Sequence, residues 1–581
     1  MPIETHPSVQ NPTLRQNSTA PHARYLVQKF GGTSVGKFVV NIARDVVSNY
    51  LNEDNKVVVV CSARSGSTKA LGTTNLLLRA ASETLKRKSS VGSLSNPPTP
   101  FANSGGLFGM SASTSVLPTP HQTPPMTPLR GDDPLAISPL TPLTVPQPDQ
   151  ILPEFNKTVD IIRVQHLDAA RAAVRNPEVL QALEAEIERD CDWLRGFLFA
   201  AQVINEISPR SKDSIVGLGE RLACRIVTAA LVDQGIDAEY VSLENIIPEF
   251  DGEDSAVETT LDQAFYDRLA LAVGNRVKQC GPRIPVVTGF FGPTPGSLLT
   301  QIGRGYTDLL SALLAVGLSE STSELQIWKE VDGIFTADPR KVPTARLIPV
   351  ISPDEAAELT YYGSEVVHPF TMEQVIRRRI PIRIKNVENP VGGGTVIRPD
   401  EDGDGEEGEE GKGKGKAPTA VTIKENIVVL NVNSNRKSVS HGFLAGIFGT
   451  LDQYGVVVDL ISTSEVHVSM AIENNIKERL FDRLVVELRK SGTVSTHRQM
   501  AILSLVGKQM RNMYGTAGRM FSVLAEGNVN IEMISQGASE INISCVIREQ
   551  DAVKALNLIH QRCLSFQPEP LVKVQPGPWL L

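Results

Sequence analysis

The sequence predicts an α/β protein: a layered domain built on a parallel sheet, followed by two ferredoxin-like βαββαβ units. Three observations carry that prediction. First, apolar β-branched runs such as Lys56-Val57-Val58-Val59-Val60-Cys61 and Ile284-Pro285-Val286-Val287-Thr288 read as strands buried on both faces. Second, the run Tyr25 to Val27 leads into a glycine turn and then a helix, Gln28-Lys29-Phe30-Gly31-Gly32-Thr33-Ser34-Val35-Gly36-Lys37. Third, the C-terminal part repeats itself. Phe448-x-x-Leu451 returns 73 residues later as Phe521-x-x-Leu524, and Val456, Val458, Leu460, Ile461 and Ser462 return as Val529, Ile531, Met533, Ile534 and Ser535. The offset becomes 75 at Val466/Ile541 and Val468/Ile543.

At 581 residues the chain has room for about two to four domains. A net charge of −8 argues against general nucleic-acid binding. The six cysteines form no C-x-x-C pair and read as buried thiols of a reducing compartment. No apolar run reaches the length of a membrane span. Residues 1–23 contain Pro, Asn and an acid and no apolar core, which predicts a disordered tail. The expectation is a cytoplasmic protein with no nucleic-acid or membrane partner.

Strand, glycine turn and helix start aim backbone N–H groups at one spot, where Lys29 adds a full charge, and such a spot suits phosphate. A Walker A loop fails here, because Phe38 stands where the magnesium-binding hydroxyl is required. The bland alternative is a tight turn with no ligand. The strand ending at Cys61 opens into Ser62 to Thr68 and then Thr73-Thr74-Asn75, hydroxyls at the carboxyl end of a strand where α/β sheets bind ligands. From about 86 to 148 Ser, Thr and Pro dominate, which predicts a disordered insertion with several Ser/Thr-Pro sites open to phosphorylation, or simply a tolerated surface loop. Residues 154–207 read as helix. Gly217-Leu218-Gly219-Glu220 then reads as a glycine turn with Glu220 in the first turn of the next helix, where an acid can simply complement the helix dipole. In Gly303-Arg304-Gly305-Tyr306-Thr307-Asp308 a guanidinium stands beside a helix start, a planar fork suited to carboxylate or phosphate. His368 before Pro369 reads as structural. Residues 400–420, acidic and then Gly-Lys, read as a linker.

Lys29-Phe30-Gly31-Gly32-Thr33-Ser34-Val35 resembles the N-terminal signature of aspartate kinases, in the amino-acid kinase superfamily. Gly-Arg-Gly-Tyr-Thr-Asp at 303–308 and Trp328-Lys329-Glu330-Val331-Asp332-Gly333 through Asp338-Pro339-Arg340 are similar to further motifs of that family, with Tyr306 and Thr307 replacing Gly and Ser, and Lys329 and Glu330 standing where many relatives have Thr-Asp. Glu365 stands where relatives often carry a nucleotide-binding lysine. The resemblance is closest to the monofunctional fungal type, and it implies a three-layer αβα sandwich over 24–399. It implies transfer of the ATP γ-phosphoryl to the β-carboxylate of L-aspartate, with Mg²⁺ held through the phosphates and no protein metal cage. Lys29, Arg304 and Asp308 would be catalytic, and Ser62, Thr74, Glu220 and Arg304 would bind aspartate. Lys29, Gly31, Gly32, Thr33, Ser34, Lys329, Val331, Phe335, Arg340 and Lys341 would bind ATP.

The repeats, taken as 421–495 and 496–581, resemble ACT domains, small amino-acid sensors. The resemblance implies an effector site at Ser440, Phe443, Leu444, Asp459, Ser464 and Glu465, with L-threonine as inhibitor and L-lysine as the competing candidate. It also implies a homo-oligomer through the repeats and a place at the start of threonine, methionine and isoleucine synthesis. A different amino-acid kinase, or a catalytically dead sensor, are the alternatives. The Lys29 signature together with the paired repeats weighs against the first, and retention of Lys29, Glu220, Arg304 and Asp308 against the second.

Overall fold

A computed structural model describes residues 14–86, 153–247, 261–292, 297–362, 367–399, 418–434, 442–508, 513–537 and 541–564, together with 294 and 510. Residues 87–148 of the expected insertion, 400–417 of the expected linker, most of the tail, Glu365 and Ser440 lie outside the described residues, and Ala420, expected to end the linker, is instead the first residue of a strand.

The N-terminal sheet has eight strands: β1 (Arg24–Phe30), β2 (Asn55–Cys61), β3 (Ala238–Val241), β4 (Ile284–Thr288), β5 (Thr322–Lys329), β6 (Val350–Ile351), β7 (Ile382–Asn386) and β8 (Thr395–Ile397). Their order is β3-β4-β2-β1-β5-β7-β8-β6, and β3 through β7 in that order are mutually parallel. β1 is therefore central, flanked by β2 and β5. Successive strand residues feed opposite layers. Phe30, Val57, Val59 and Cys61 join one core, whereas Val27, Val58 and Val60 join the other. Helices cover both faces, which gives the three-layer α/β sandwich.

Helix α1 (Gly32–Lys37) follows β1 directly, and α2 (Thr73–Thr84) follows the loop after β2. The long helical stretch expected over 154–207 is two helices, α3 (Glu154–Ala173) and α4 (Pro177–Ile204). Asn176 breaks it, because its side chain accepts from the Glu178 and Val179 N–H groups as an N-cap. α4 stops at Asn205, which adopts φ 60. Next comes α5 (Pro209–Asp233), capped by Ser208. It runs unbroken through Gly217 and Gly219, so these glycines are not a turn before a helix and Glu220 is not in a first turn. Their reason is packing. A Cβ on Gly217 would meet the Phe290 ring at 2.4 Å, and one on Gly219 would press on Leu77, Ala63 and Thr73.

On the opposite layer lie α6 (Gln263–Lys278), α7 (Tyr306–Gly317), α8 (Pro353–Tyr361) and α9 (Pro369–Ile376). Part of the expected disordered tail is docked. The Asn17 amide donates to the Val57 carbonyl at 3.0 Å while its oxygen accepts the Val57 N–H at 2.7 Å, and Arg15 bridges to Ile236. A buried amide that satisfies a strand's backbone holds these residues in place.

The C-terminal sheet comprises β9 (Ala420–Ser434), β10 (Val458–Thr463), β11 (His467–Glu473), β12 (Gly492–Val506), β13 (Met533–Ser535) and β14 (Asn542–Arg548), with helices α10 (Phe443–Gln453), α11 (Glu478–Leu488), α12 (Thr516–Glu526) and α13 (Ala552–Ile559). Its order is β10-β11-β9-β12-β14-β13, antiparallel throughout. β9 and β12 are both 15 residues long, and each kinks at one left-handed residue, Asn426 (φ 61) and Gln499 (φ 57).

The ladder between these strands has two halves. Residues 427–433 pair with 493–500, and 420–424 pair with 502–506. The first half, with α10, β10, β11 and α11, completes one βαββαβ unit. The second unit starts at the later half of β12 and continues through α12, β13, β14 and α13. Its fourth strand is 420–424, from before the first unit. The boundary expected at 495/496 therefore falls inside β12, and one repeat is inserted into the other. The repeat offset reads through this arrangement because it registers the equivalence of positions, not the order in which a unit collects its strands.

The C-terminal sheet is fastened to the first domain by buried polar contacts. Glu355, at the third position of α8, completes a capping box with Ser352, and its Oε1 accepts from the Thr419 hydroxyl at 2.6 Å and from the Lys508 N–H at 2.9 Å. The Thr336 hydroxyl meets His560 Nε2 at 2.9 Å, and the Thr422 hydroxyl donates to the Tyr362 carbonyl at 2.9 Å.

Candidate active site

Because the strands around β1 are parallel, their carboxyl ends share one edge, and the loops leaving that edge carry the candidate residues. Lys29 is the penultimate residue of β1 and is buried. Its Nζ lies 2.6 Å from Asp308 Oδ1, and Asp308 stands in the first turn of α7. A buried ammonium needs such a partner, and the pair fixes where Lys29 points.

The glycine turn packs on the loop after β2. A Cβ on Gly32 would lie 2.5 Å from the Ala63 carbonyl oxygen, so only glycine admits that approach. The Ser65 N–H donates to the Gly32 carbonyl at 2.9 Å, and the Ser62 N–H to the Phe30 carbonyl at 3.1 Å. Beside this junction opens a cleft of about 390 Å³, lined by Thr33, Lys37, Arg64, Ser65, Thr74 and Asn75 among others. Thr33 and Thr74, remote in sequence, thus face one space. Arg64 is anchored there through the Gly36 and Gln165 carbonyls, both at 3.1 Å.

Glu220 is fully buried. It accepts the Phe290 N–H at 2.6 Å and the hydroxyls of Thr307 and Tyr306. Burial pushes its carboxyl up to about 7, against the opposing pull of these donors and of the nearby Lys29 charge. The same burial, with Glu220 beside it, pushes the Tyr306 hydroxyl up. Within the 303–308 motif Tyr306 and Thr307 are the departures from the family pattern, and both serve Glu220. The departures themselves were the available signal for these two residues, which sequence reasoning left without a role. It also missed Asp213. That buried carboxylate accepts the Leu298 N–H at 2.6 Å and the Ser297 hydroxyl at 3.0 Å, holding the loop that leads to Arg304. Arg304 itself sits in the one-turn helix Gly303–Gly305 just ahead of α7.

Other expected ATP contacts are placed differently. Ser34 is buried and its hydroxyl donates to Glu330 Oε1 at 2.7 Å, so it braces β5 and does not face the cleft. Lys341 is taken up by Glu425 of β9 at 2.6 Å, because the C-terminal sheet docks beside it. The Arg340 guanidinium is 88% exposed and folds back on Asp338 at 2.9 Å, which it holds below the usual carboxylate range. Lys329 ends β5, Val331 is half exposed, and Phe335 bridges to Leu347. His368 caps α9 by accepting the Phe370 N–H at 3.3 Å, a structural role.

The expected effector residues divide. Asp459, at the start of β10, accepts from Lys424 Nζ at 2.6 Å. Phe443 opens α10 after the left-handed Gly442 (φ 83), with Leu444 exposed beside it. Ser464 and Glu465 are exposed and follow the far end of β10. The six residues of that strand span about 17 Å, so one chain does not bring Asp459 and Ser464 together.

The model of the amino acid kinase family matches residues 24–386, and that of the ACT domain matches 503–563. The aspartokinase of Schizosaccharomyces pombe is 48% identical over 557 residues, which cover 94% of each chain. The chain belongs to the aspartokinase family. The aspartokinase of Saccharomyces cerevisiae is 43% identical, again over 94% of each chain. Escherichia coli aspartokinase III, solved with aspartate and ADP, is 25% identical with a TM-score of 0.62, over 93% of this chain and all of that one. Its complex with lysine and aspartate gives a TM-score of 0.63. This aspartokinase thus unites the kinase sandwich with ACT units in one chain. Among its described residues no helix is long and apolar enough to cross a membrane.

Proposed function

We propose that the enzyme transfers the γ-phosphoryl of MgATP to the β-carboxylate of L-aspartate, giving 4-phospho-L-aspartate at the start of threonine, methionine and isoleucine synthesis. The observation that carries the reading is Lys29, buried at the end of the central strand, aimed by Asp308 and set beside the glycine turn. The nucleophile is already an anion, so no general base is required. The obstacle is repulsion between carboxylate and triphosphate, and catalysis is positioning plus charge neutralisation. Lys29 and the Gly31/Gly32 backbone neutralise the transferring group, and Lys329 adds charge from β5. Ser62, Thr74 and Arg304 hold the aspartate carboxylates. Among the described residues there is no group of three or more His, Cys, Asp or Glu that could hold a metal ion. Mg²⁺ would be carried by phosphate oxygens and water, where it would neutralise phosphate charge.

Glu220 is assigned to the α-ammonium of aspartate, and this makes a pH prediction. Only the carboxylate attracts that ammonium. With the free enzyme's carboxyl near 7, kcat/KM for L-aspartate should fall about tenfold per unit below that pH. Glu220→Gln should be slow and lack that acid limb. A variant that keeps the limb would remove Glu220 from this role.

Regulation is proposed to run through the first ACT unit, with L-threonine as inhibitor and a homo-oligomer that brings Asp459 of one copy to the Phe443 and Ser464 end of another. Any effector ammonium must compete with Lys424 for Asp459. Lys424→Gln should therefore lower the threonine concentration for half-inhibition about tenfold, and Asp459→Ala should keep turnover and lose inhibition. Unchanged inhibition in both variants would move the effector site elsewhere. The six free, buried cysteines support a cytoplasmic setting.

The deciding assay is ADP release with MgATP and L-aspartate, with and without millimolar threonine or lysine. Turnover suppressed by threonine supports the whole reading. Suppression by lysine alone would transfer the effector role to lysine, and no turnover with aspartate would overturn the substrate.

A further inference from the structure

Two buried carboxylates of α5, Asp213 and Glu220, hold the two ends of one segment, and Arg304 lies between those ends. The two acids stand seven residues apart on the helix, two turns along one face, a separation of about 10 Å. Asp213 is 1% exposed and takes the start of the segment. Its Oδ2 accepts the Leu298 N–H at 2.6 Å, and its Oδ1 accepts the Ser297 hydroxyl at 3.0 Å and the Leu299 N–H at 3.3 Å. Glu220 takes the end, through the hydroxyls of Tyr306 and Thr307. Between the anchors run the short helix Leu298–Gln301 and the one-turn helix Gly303–Gly305. Gly303 (φ 75) and Gly305 flank Arg304, so its own neighbours leave the backbone there compliant. Ser297 is the opposite case. It is a buried non-glycine residue at φ 123, a conformation that persists only where its surroundings over-determine it. Asp213 supplies that constraint, and the Ser297 hydroxyl in turn accepts the Thr300 N–H at 3.3 Å.

We infer that Asp213 is a positioning residue for aspartate recognition: it seats the start of the 297–308 segment and thereby sets where Arg304 stands. The inference rests on the assignment of Arg304 to the aspartate carboxylates and adds the device that places it. A carboxylate is costly to bury without donors. Here all three donors come from consecutive residues of one segment, so the contact is a grip on that segment. The second anchor, Glu220, is itself assigned to the substrate's ammonium. One helix of 25 residues thus carries the group that meets the amine and fixes the segment that meets the carboxylate. The distance between the two is set by a packed helix and not by a loop.

Asp213→Asn tests it by steady-state kinetics. The side chain keeps its size but offers three donors one accepting oxygen. KM for L-aspartate should rise about tenfold, from the loss of charge-assisted hydrogen bonds. kcat and KM for ATP should stay within about twofold, because contacts made equally in ground and transition states move KM alone. A double-mutant cycle separates positioning from general support. In an Arg304→Ala background, adding Asp213→Asn should raise KM for aspartate by less than about twofold further. Ser297→Ala removes one donor and leaves the carboxylate in place, and it should raise the same KM about threefold. Should Asp213→Asn fail to fold, an unmoved KM in Ser297→Ala overturns the inference. Equal losses in the two backgrounds overturn it too, as does a KM for ATP that rises as far as that for aspartate. Arg304→Ala with unchanged KM for aspartate would instead refute the Arg304 assignment, and the inference would fall with it.

Discussion

Lys29→Ala should fold, bind MgATP and lose about two orders of magnitude or more in kcat, by analogy with removal of a single oxyanion donor. The ammonium is buried, and its position is set by the 2.6 Å contact with Asp308, so neither solvent nor a flexible neighbour replaces it. Asp308 would be left as a partly buried carboxylate facing the phosphates, which adds repulsion to the lost attraction. Lys29→Arg should recover little, because a planar fork does not occupy the space of a point charge at a glycine-lined turn. Steady-state ADP release with L-aspartate is the measurement. Near-normal turnover in Lys29→Ala would refute the catalytic assignment.

The second large effect is on stability and sits far from the chemistry. Glu355→Ala should cost about 3 kcal/mol, read as a lower urea midpoint, because one buried carboxylate satisfies donors from Ser352, Thr419 and Lys508. These donors outweigh burial and hold its carboxyl below the ordinary range. The sign follows from linkage. The folded state favours the ionised form, so this stability is present above the unfolded carboxyl's pKa and is lost as pH falls through the lower, folded value. Wild type should therefore lose more stability on acidification than the variant. Parallel pH profiles of the urea midpoint would show that Glu355 is not the acid-sensitive joint.

Much of the fold was legible because it is written in short-range patterns. Unbroken valine runs can only be two-sided strands, and the 73-residue offset declares a duplicated unit. The candidates Lys29, Glu220 and Asp308 were legible as residue types beside glycines, although Glu220 was expected in a first turn and lies inside α5. What stayed hidden depends on contacts between distant residues. Nothing local says that Gly217 is a clearance for Phe290, that Asn17 finishes a strand, or that Lys341 is claimed by Glu425. Residues 421–424 read as the start of the first repeat, and they become the last strand of the second only when 502–506 exists to pair with them.

That borrowed strand imposes an order on biosynthesis. As the chain leaves the ribosome, the first ACT unit can close on itself once residue 497 has emerged. The second has its last strand already made and waiting, with an open ladder edge, until residues 502–506 have emerged. Excising the first unit as a contiguous block would leave its host joined across a gap that two neighbouring strand ends already bridge, whereas trimming the chain after residue 500 would strand 420–424 without a partner. An edge left open for that interval is a natural point of capture by chaperones, and of mispairing between nascent copies.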